Sequence, residues 1–453
     1  MLIRPKSIPL PQAIWDLCHQ LHQHGYQSYI VGGAIRDVLR SQIPLDWDIT
    51  TDALPVEVEQ LFQRTIPTGK TFGTITVRQG DYLVEITTMR QDANYSDGRR
   101  PDQVIYTNDI VLDLKRRDFT INAIAYDPIS QNYVDPHRGI KDIRKRRLRT
   151  VGLAKDRFNE DALRMLRLVR FYATLGFKPD PAAIAGLEPS LLKNVAWERI
   201  GEEFRKLILG NEIVAALQLL YTSGMLEYIL PELAKGASVY QGNRHQFDVL
   251  GHQIQTAQAI QPILHLRLAA LLHDIGKPET VFEDDGGIHF YTHDTLGAEL
   301  ARTCLRRMCC SKALIKRVSN LIEYHMFPIH PHSTDRAIRR FIAKVGEENI
   351  LDLIELRKAD VLAMKHNPTQ VWQYYQQMQT RIEEVLAVEH GFSITDLAIN
   401  GQDLLEHFGL SPSPLIGEIL NYLLAEVIDD PLINQTEALL DKTRVYLGKQ
   451  NKE

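Results

Sequence analysis

The stretch from Ser28 to Asp48, SYIVGGAIRDVLRSQIPLDWD, limits what this chain can fold into more than any other, because it sets strand, glycine turn, helix, loop and acidic strand in one short run. Tyr29, Ile30 and Val31 read as a short apolar strand. Gly32 and Gly33 let the backbone turn tightly and leave N–H groups uncovered where a helix starts, a geometry that receives phosphate oxygens. Arg36, one turn into that helix, can reach the same phosphates with paired hydrogen bonds. After Pro44, Asp46-Trp47-Asp48 reads as a strand whose alternation sends both carboxylates to one side and Trp47 to the other. Two carboxylates side by side repel unless a cation lies between them, and hard oxygen ligands near a nucleotide suit Mg²⁺.

A Gly-Gly turn or an Asp-x-Asp triplet alone says little. GGxxRD followed nine positions later by DWD is far more specific. On these residues the segment resembles the catalytic signature of the class II tRNA nucleotidyltransferase and bacterial poly(A) polymerase family. The resemblance implies an α+β chain: a small polymerase-β-like mixed-sheet nucleotidyltransferase head (1–150), then a mainly all-α remainder. That remainder is a helical neck (151–238), an HD-type metal-binding domain (239–370) and a tail that binds tRNA (371–453). A chain of 453 residues, 44% hydrophobic and 24% charged, has material for about three domains by the usual allowance of roughly 150 residues each.

Four cysteines, Cys18, Cys304, Cys309 and Cys310, show no paired spacing, which argues against a disulfide framework or zinc site and fits a reducing cytoplasm. No signal peptide or long apolar run is evident, so membrane insertion is not expected. The net charge of −5 argues against a uniformly basic nucleic-acid binder. Its distribution argues otherwise: Lys141 to Arg170 carries eleven Lys or Arg against four acids, a patch that a phosphate backbone would seek.

Within the head, Gly73–Arg78 and Tyr82–Thr88 read as a β-hairpin, putting Glu85 on a strand that can neighbour the DWD strand. A carboxylate there could hold a second metal or deprotonate the attacking hydroxyl, and the resemblance implies the catalytic role. Gln91 to Ile105, polar and containing Arg99-Arg100, should be a mobile loop beside the site. The resemblance implies a flexible loop here that enzymes adding only two cytidines lack. LKRRDFTINAIAYD (Leu114–Asp127) is a second family match. Read as the start of a helix, it offers Asp118, Thr120 and Asn122 for a ribose and Arg117 for the triphosphate.

A long helix is expected over Arg157–Phe171, capped by Asn159, with Asp161, Arg164 and Arg167 on one polar face. This EDALRMLRLVRF stretch resembles the family motif that reads the incoming base with protein groups. Asp161 would accept from the exocyclic amine of cytosine or adenine, and Arg164 would donate to the adjacent ring nitrogen. Arg167 and Arg170 match family positions that contact the nucleotide, Arg170 lying toward the opposite flank.

Further on, His252, the pair His273-Asp274 at the end of an apolar helix, and Asp360 resemble the ligand set of HD-superfamily phosphohydrolases. His293 and His325 stand where binuclear HD sites add ligands. Imidazole with carboxylate favours a transition metal such as Ni²⁺, Mn²⁺ or Co²⁺ over Mg²⁺, and the resemblance implies phosphoester hydrolysis. The segment from Ser393 to Asp430 resembles the family's tail. Taken together, the resemblance implies addition of CTP and ATP to the 3′ end of tRNA. An A-adding or poly(A) enzyme of the same family is the alternative, and an HD phosphohydrolase with an RNA-binding head a distant third.

Overall fold

Four isoleucines, Ile30, Ile49, Ile75 and Ile86, tie the head together in the computed structural model, which describes residues 8–93, 103–242, 246–364, 367–388 and 393–450. They are partners in register on β1 (Ser28–Val31), β2 (Asp48–Thr51), β4 (Thr74–Gln79) and β5 (Tyr82–Thr88), and all are fully buried. β-Branched cross-strand pairs of this kind pack well on a pleated surface, each burial being worth about 1.5–3 kcal/mol. Pleat alternation sends the adjacent register row, Val31, Asp48, Glu85 and Thr76, to the opposite face. Two acids thus reach one face because isoleucines occupy the other.

With β3 (Thr65–Gly69), β8 (Ala125–Asp127) and β9 (Asn132–Val134) these strands form a seven-stranded mixed sheet, ordered β3-β4-β5-β2-β1-β8-β9. The β2–β5 pairing is parallel and the others are antiparallel. The expected Gly73–Thr88 hairpin is β4–β5. β6 (Arg90–Ala93) and β7 (Gln103–Tyr106) pair as a separate ribbon, so the ends of the segment expected to be a loop are strands. Its interior, with Arg99-Arg100, lies outside the described residues.

The chain divides into two compact units, Met1–Pro231 and Glu232–Glu453. Beyond the sheet, the first unit is helical, with Ala154–Glu160, Leu163–Leu175, Trp197–Ile208 and Ile213–Thr222 the main elements. The continuous helix expected over Arg157–Phe171 is broken. Asp161 adopts φ −149° and ψ 104°, and its Oδ1 accepts from the Leu163 N–H at 3.1 Å. This side chain serves as the cap, as short acidic side chains do, and Asn159 lies inside the preceding helix.

The second unit is a bundle whose helices include Val249–Ala259, Leu264–Leu272, His293–Arg307, Lys312–Glu323, Asp335–Val345 and Glu347–Leu362. A hairpin, Val281–Asp284 with Gly287–Phe290, interrupts them. Helices Gly401–Phe408, Pro414–Asp429 and Thr436–Gln450 close on their own core around Leu404, Ile419, Leu423 and Leu439. Among the described residues no helix is long and apolar enough to cross a membrane.

One contact in the head is unusually intolerant. A Cβ added at Gly139 would lie 2.0 Å from the Thr120 carbonyl oxygen and 2.8 Å from Ile124 Cγ1. Backbone cannot give way as a side-chain end can, so Gly139→Ala should cost about 3 kcal/mol. Urea unfolding checks this, a shift in midpoint without a change in slope being the expected result.

Candidate active site and candidate metal centre

Asp48 opens β2 directly beside Glu85 of β5, and Asp46 precedes it by one buried tryptophan, Trp47. Burial raises the Asp48 carboxyl, Arg117 opposes that, and Glu85 and Asp46 add to it, taking it from 3.8 to about 6. Such a carboxylate is short of positive charge, which suits a divalent cation. Gly32 lies against it: φ is +74°, and a Cβ there would sit 3.2 Å from Asp48 Oδ2 and 3.6 Å from an Arg117 guanidinium nitrogen. Both the left-handed backbone and the close approach require glycine at this position.

Arg36 is held more firmly than the sequence suggests. It grips both oxygens of Asp37 at 2.9 Å and donates to Asn122 Oδ1 at 2.9 Å. From there a polar chain runs through the site. Asn122 donates to Asp118 Oδ1 at 3.3 Å, and Arg167 donates twice to Asp118 Oδ2 at 2.8 and 2.5 Å. Glu203 then lies 3.6 Å from Arg167 and 2.7 Å from Arg170. Burial alone would raise Asp118, but the Arg167 guanidinium and its hydrogen bonds bring it down to about 2. Phe171 is the hub, with the guanidinium carbons of Arg36, Arg167 and Arg170 at 5.4, 5.4 and 4.2 Å from its ring centre. Three cations on one aromatic ring concentrate positive charge at this place. Arg170 therefore shares partners with Arg167 and does not sit on an opposite flank.

The RRDFT segment is not the start of a helix. It follows helix Ile110–Lys115 and leads into a single 3-10 turn, Thr120–Asn122. Thr120 is fully buried and donates to Asp142 at 2.7 Å, so it is not available to a ribose. Arg117 turns back to Asp113 at 3.2 Å. Asp161 and Arg164 stay in one turn, Arg164 N–H donating to the Asp161 carbonyl at 3.0 Å, but their side chains do not pair. Arg199 grips both Asp161 oxygens at 3.2 and 2.7 Å. Arg164 donates to Glu160 at 2.6 Å and to the carbonyls of Arg157 and Arg116, using three of its five N–H donors.

In the second unit the four HD residues converge. His252 Nε2 is 2.9 Å from Asp360 Oδ1 and 3.7 Å from Asp274 Oδ2, and His273 Nε2 is 3.2 Å from Asp274 Oδ2. His293 and His325 join from the other side, their Nε2 atoms 3.3 Å apart and 3.5 and 3.8 Å from Asp274 Oδ1. Two ligand triads therefore share Asp274. His273, His293 and His325 each turn Nδ1 to a backbone carbonyl at 2.9, 2.6 and 2.6 Å, which leaves Nε2 presented inward. That anchoring is what metal-ligating imidazoles use, and the donor set fits a divalent transition metal. Burial opposes charge on His273, but Asp274 and Asp360 lift it to about 10, while burial and His273 push His325 down to about 3. Lys277, 2.6 Å from Asp274, and Arg357, paired with Asp360, flank the cluster. It opens on a cavity of about 980 Å³ whose walls include Tyr240, Phe290 and Tyr291.

Three family models match the chain: a poly A polymerase head domain over residues 28–149, a probable RNA and SrmB-binding site of polymerase A over 177–236, and a putative tRNA nucleotidyltransferase domain 2 over 289–443. The CCA-adding enzyme of Lactococcus lactis subsp. lactis is 32% identical over 438 residues, covering 94% of this chain and 95% of that enzyme. The chain belongs to the CCA-adding enzyme family. The corresponding enzyme of Geobacillus kaustophilus is 44% identical over 229 residues, half of this chain and 56% of that one. A crystal structure of the Bacillus stearothermophilus CCA-adding enzyme in complex with CTP superposes with a TM-score of 0.74 at 28% identity, covering 99% of this chain and 100% of that one. Family membership brings with it use of a divalent metal.

Arg199, Glu203, Glu160 and Phe171 went unread in the sequence. The first two sit in WERIGEEF, whose acidic and basic residues look like ordinary helix-surface charges; only the burial of Glu203 marks it out. Phe171 lies within the recognised motif but reads as core.

Proposed function

We propose that this chain adds CMP and AMP, taken from CTP and ATP, to the 3′ end of tRNA without a nucleic-acid template, working in the cytoplasm. The observation that carries the proposal is the register of Asp48 with Glu85 beside the Gly32 turn, in the same compact unit as the Asp161–Arg164 turn. Asp46 and Asp48 would hold the divalent ion, most simply Mg²⁺, which supplies charge neutralisation at the α-phosphate when bound. Glu85 takes the proton of the terminal 3′-hydroxyl; the 3′-oxygen bonds to the α-phosphorus as the bond to pyrophosphate breaks. Backbone N–H groups at Gly32 and Gly33, with Arg36, Arg117, Arg167 and Arg170, balance the triphosphate charge. Asp118 and Asn122 orient those guanidiniums and meet the ribose edge. Asp161 and Arg164 read the base.

An A-adding or poly(A) enzyme of the same family would use the same chemistry, so the test is stepwise. Labelled tRNA ending before CCA should gain two residues with CTP alone, none with ATP alone and three with both. Extension by ATP alone, or of unrelated RNA, would favour the alternative.

The second reading rests on the histidine cluster. His252, His273, Asp274 and Asp360 would hold one transition metal such as Ni²⁺, Mn²⁺ or Co²⁺, with His293 and His325 adding a second, for phosphoester hydrolysis. Calorimetric titration with Ni²⁺ should give saturable binding that weakens at least about a hundredfold in Asp274→Ala, which removes the carboxylate common to both triads. Equal binding by that variant would end this reading. In this division the head occupies 1–150, the neck 151–238, the HD-type domain 239–370 and the tail 371–453.

A further inference from the structure

The eleven basic residues between Lys141 and Arg170 are not one patch. Six are committed to carboxylates: Arg147 and Arg149 to Asp142, Arg157 and Arg164 to Glu160, Arg167 to Asp118, and Arg170 to Glu203. The other five, Lys141, Arg144, Lys145, Arg146 and Lys155, are exposed. Four of these, with exposed Arg138, gather on and around the short helix Gly139–Arg144. Its inner face is Gly139, Ile140, Asp142 and Ile143, all buried. Its outer face is cationic throughout.

We propose that Arg138, Lys141, Arg144, Lys145 and Arg146 form a surface that grips the phosphate backbone of the RNA substrate. The inference rests on the functional reading above and adds which part of the head holds the RNA. Its first support is the lack of internal partners. Among the described residues no carboxylate lies within ion-pair distance of any of the five, although every other arginine of the run has one. Like charges at three- and four-residue spacing repel, so a purely structural helix face would interleave acids.

A second support comes from the backbone. Arg138 has φ +61° and Arg146 has φ +50°, left-handed conformations that glycine or asparagine adopts at least cost. Arginine stands at both, adding charge at each end of the helix where the chain turn itself gains nothing from it.

Geometry and chemistry then select the partner. Arg138, Lys141 and Lys145 recur at helical spacing over about 10 Å, a length that meets about two or three successive phosphates. A lipid surface would call for exposed apolar anchors among the cations, but Ile140 and Ile143 face inward. The helix is also fixed to the nucleotide site from behind: Asp142 accepts from Thr120, whose 3-10 turn carries Asn122 and hence Arg36. RNA held on the outer face would be held relative to that turn.

The test is tRNA binding by full-length Lys141→Glu/Arg144→Glu/Lys145→Glu across a salt series, followed by anisotropy of labelled tRNA lacking CCA. Each lost phosphate contact lowers the slope of log affinity against log salt by about 0.7–0.9, so a drop of about 2–3 is expected. The CTP dissociation constant and melting temperature should match wild type. The glutamine triple variant should shift the slope in the same direction by a similar amount, and it carries the test should charge reversal lower the melting temperature. An unchanged slope with a folded protein overturns the proposal, as does loss of binding to phosphatidylserine vesicles alone. Failure of the unmodified protein to bind tRNA would instead strike the functional reading itself.

Discussion

Asp48→Asn should abolish nucleotide incorporation, by about a thousandfold or more, while making the metal-free protein more stable at pH 8. The loss follows from the role proposed for this carboxylate, since an amide cannot neutralise a divalent cation and preorganised charge at a phosphoryl centre is worth at least this much. The gain in stability follows from its surroundings. Burial, Glu85 and Asp46 outweigh Arg117 and raise Asp48 from 3.8 to about 6. The folded chain therefore holds this proton more tightly than the unfolded chain does. Its contribution to stability is full below 3.8, falls as pH rises to about 6, and above that the ionised carboxylate is a standing cost. Asparagine carries no such cost. Thermal melts from pH 4 to 8 check this: the variant should lose the decline between these values, and Mg²⁺ should raise the melting temperature of the wild type only. A variant that is inactive and also less stable at pH 8 would show that Asp48 supports the fold and not a cation.

The second large effect concerns the base. Asp161→Ala should raise the use of UTP relative to CTP by about tenfold. A carboxylate faced with the carbonyl of uracil, and a guanidinium faced with its ring N–H, leave two polar groups unpaired at about 1–3 kcal/mol each. Two such mismatches give on the order of a hundredfold; removal of the carboxylate relaxes the one it makes, about tenfold, and leaves the one at Arg164. Arg199 makes a graded version possible, because it fixes both Asp161 oxygens from a neighbouring helix. Arg199→Met keeps the carboxylate and frees its rotation, so discrimination should fall in the same direction by less. Competition between CTP and UTP under identical conditions measures this ratio. Equal loss with both nucleotides would assign Asp161 a packing role.

What could be read from the residues alone had a local physical cause. The acidic strand was visible only in part: Asp46 and Trp47 precede β2, which opens at Asp48, so strand alternation does not carry both carboxylates of DWD, and the parallel register is what sets Asp48 beside Glu85. The histidine cluster was visible because ligand types are rare enough to stand out along a helical chain. The break at Asp161 was not visible: periodicity runs straight through EDALRMLRLVRF, while the Asp161 side chain caps the following helix at Leu163 and is held by Arg199, thirty-eight residues away. The run of basic residues looked uniform because a count of charges does not show pairing: Arg147, Arg149, Arg157 and Arg164 pair with the nearby acids Asp142 and Glu160, while Arg167 and Arg170 pair with Asp118 and Glu203, which only folding brings near. The hairpin Val281–Phe290 escaped notice because its strands, VFED and GIHF, are short and lack a buried face.

The proposed reaction turns on one cation shared by two acids beneath a nucleotide whose base meets side chains. A crystal structure with CTP and Mn²⁺, read by anomalous scattering, tests it most directly. The prediction is a manganese peak between the carboxylates of Asp46 and Asp48, with the triphosphate at the Gly32 turn and the cytosine amine on Asp161. Manganese confined to the histidine cluster, or a cytosine ring stacked away from Asp161 and Arg164, would contradict it.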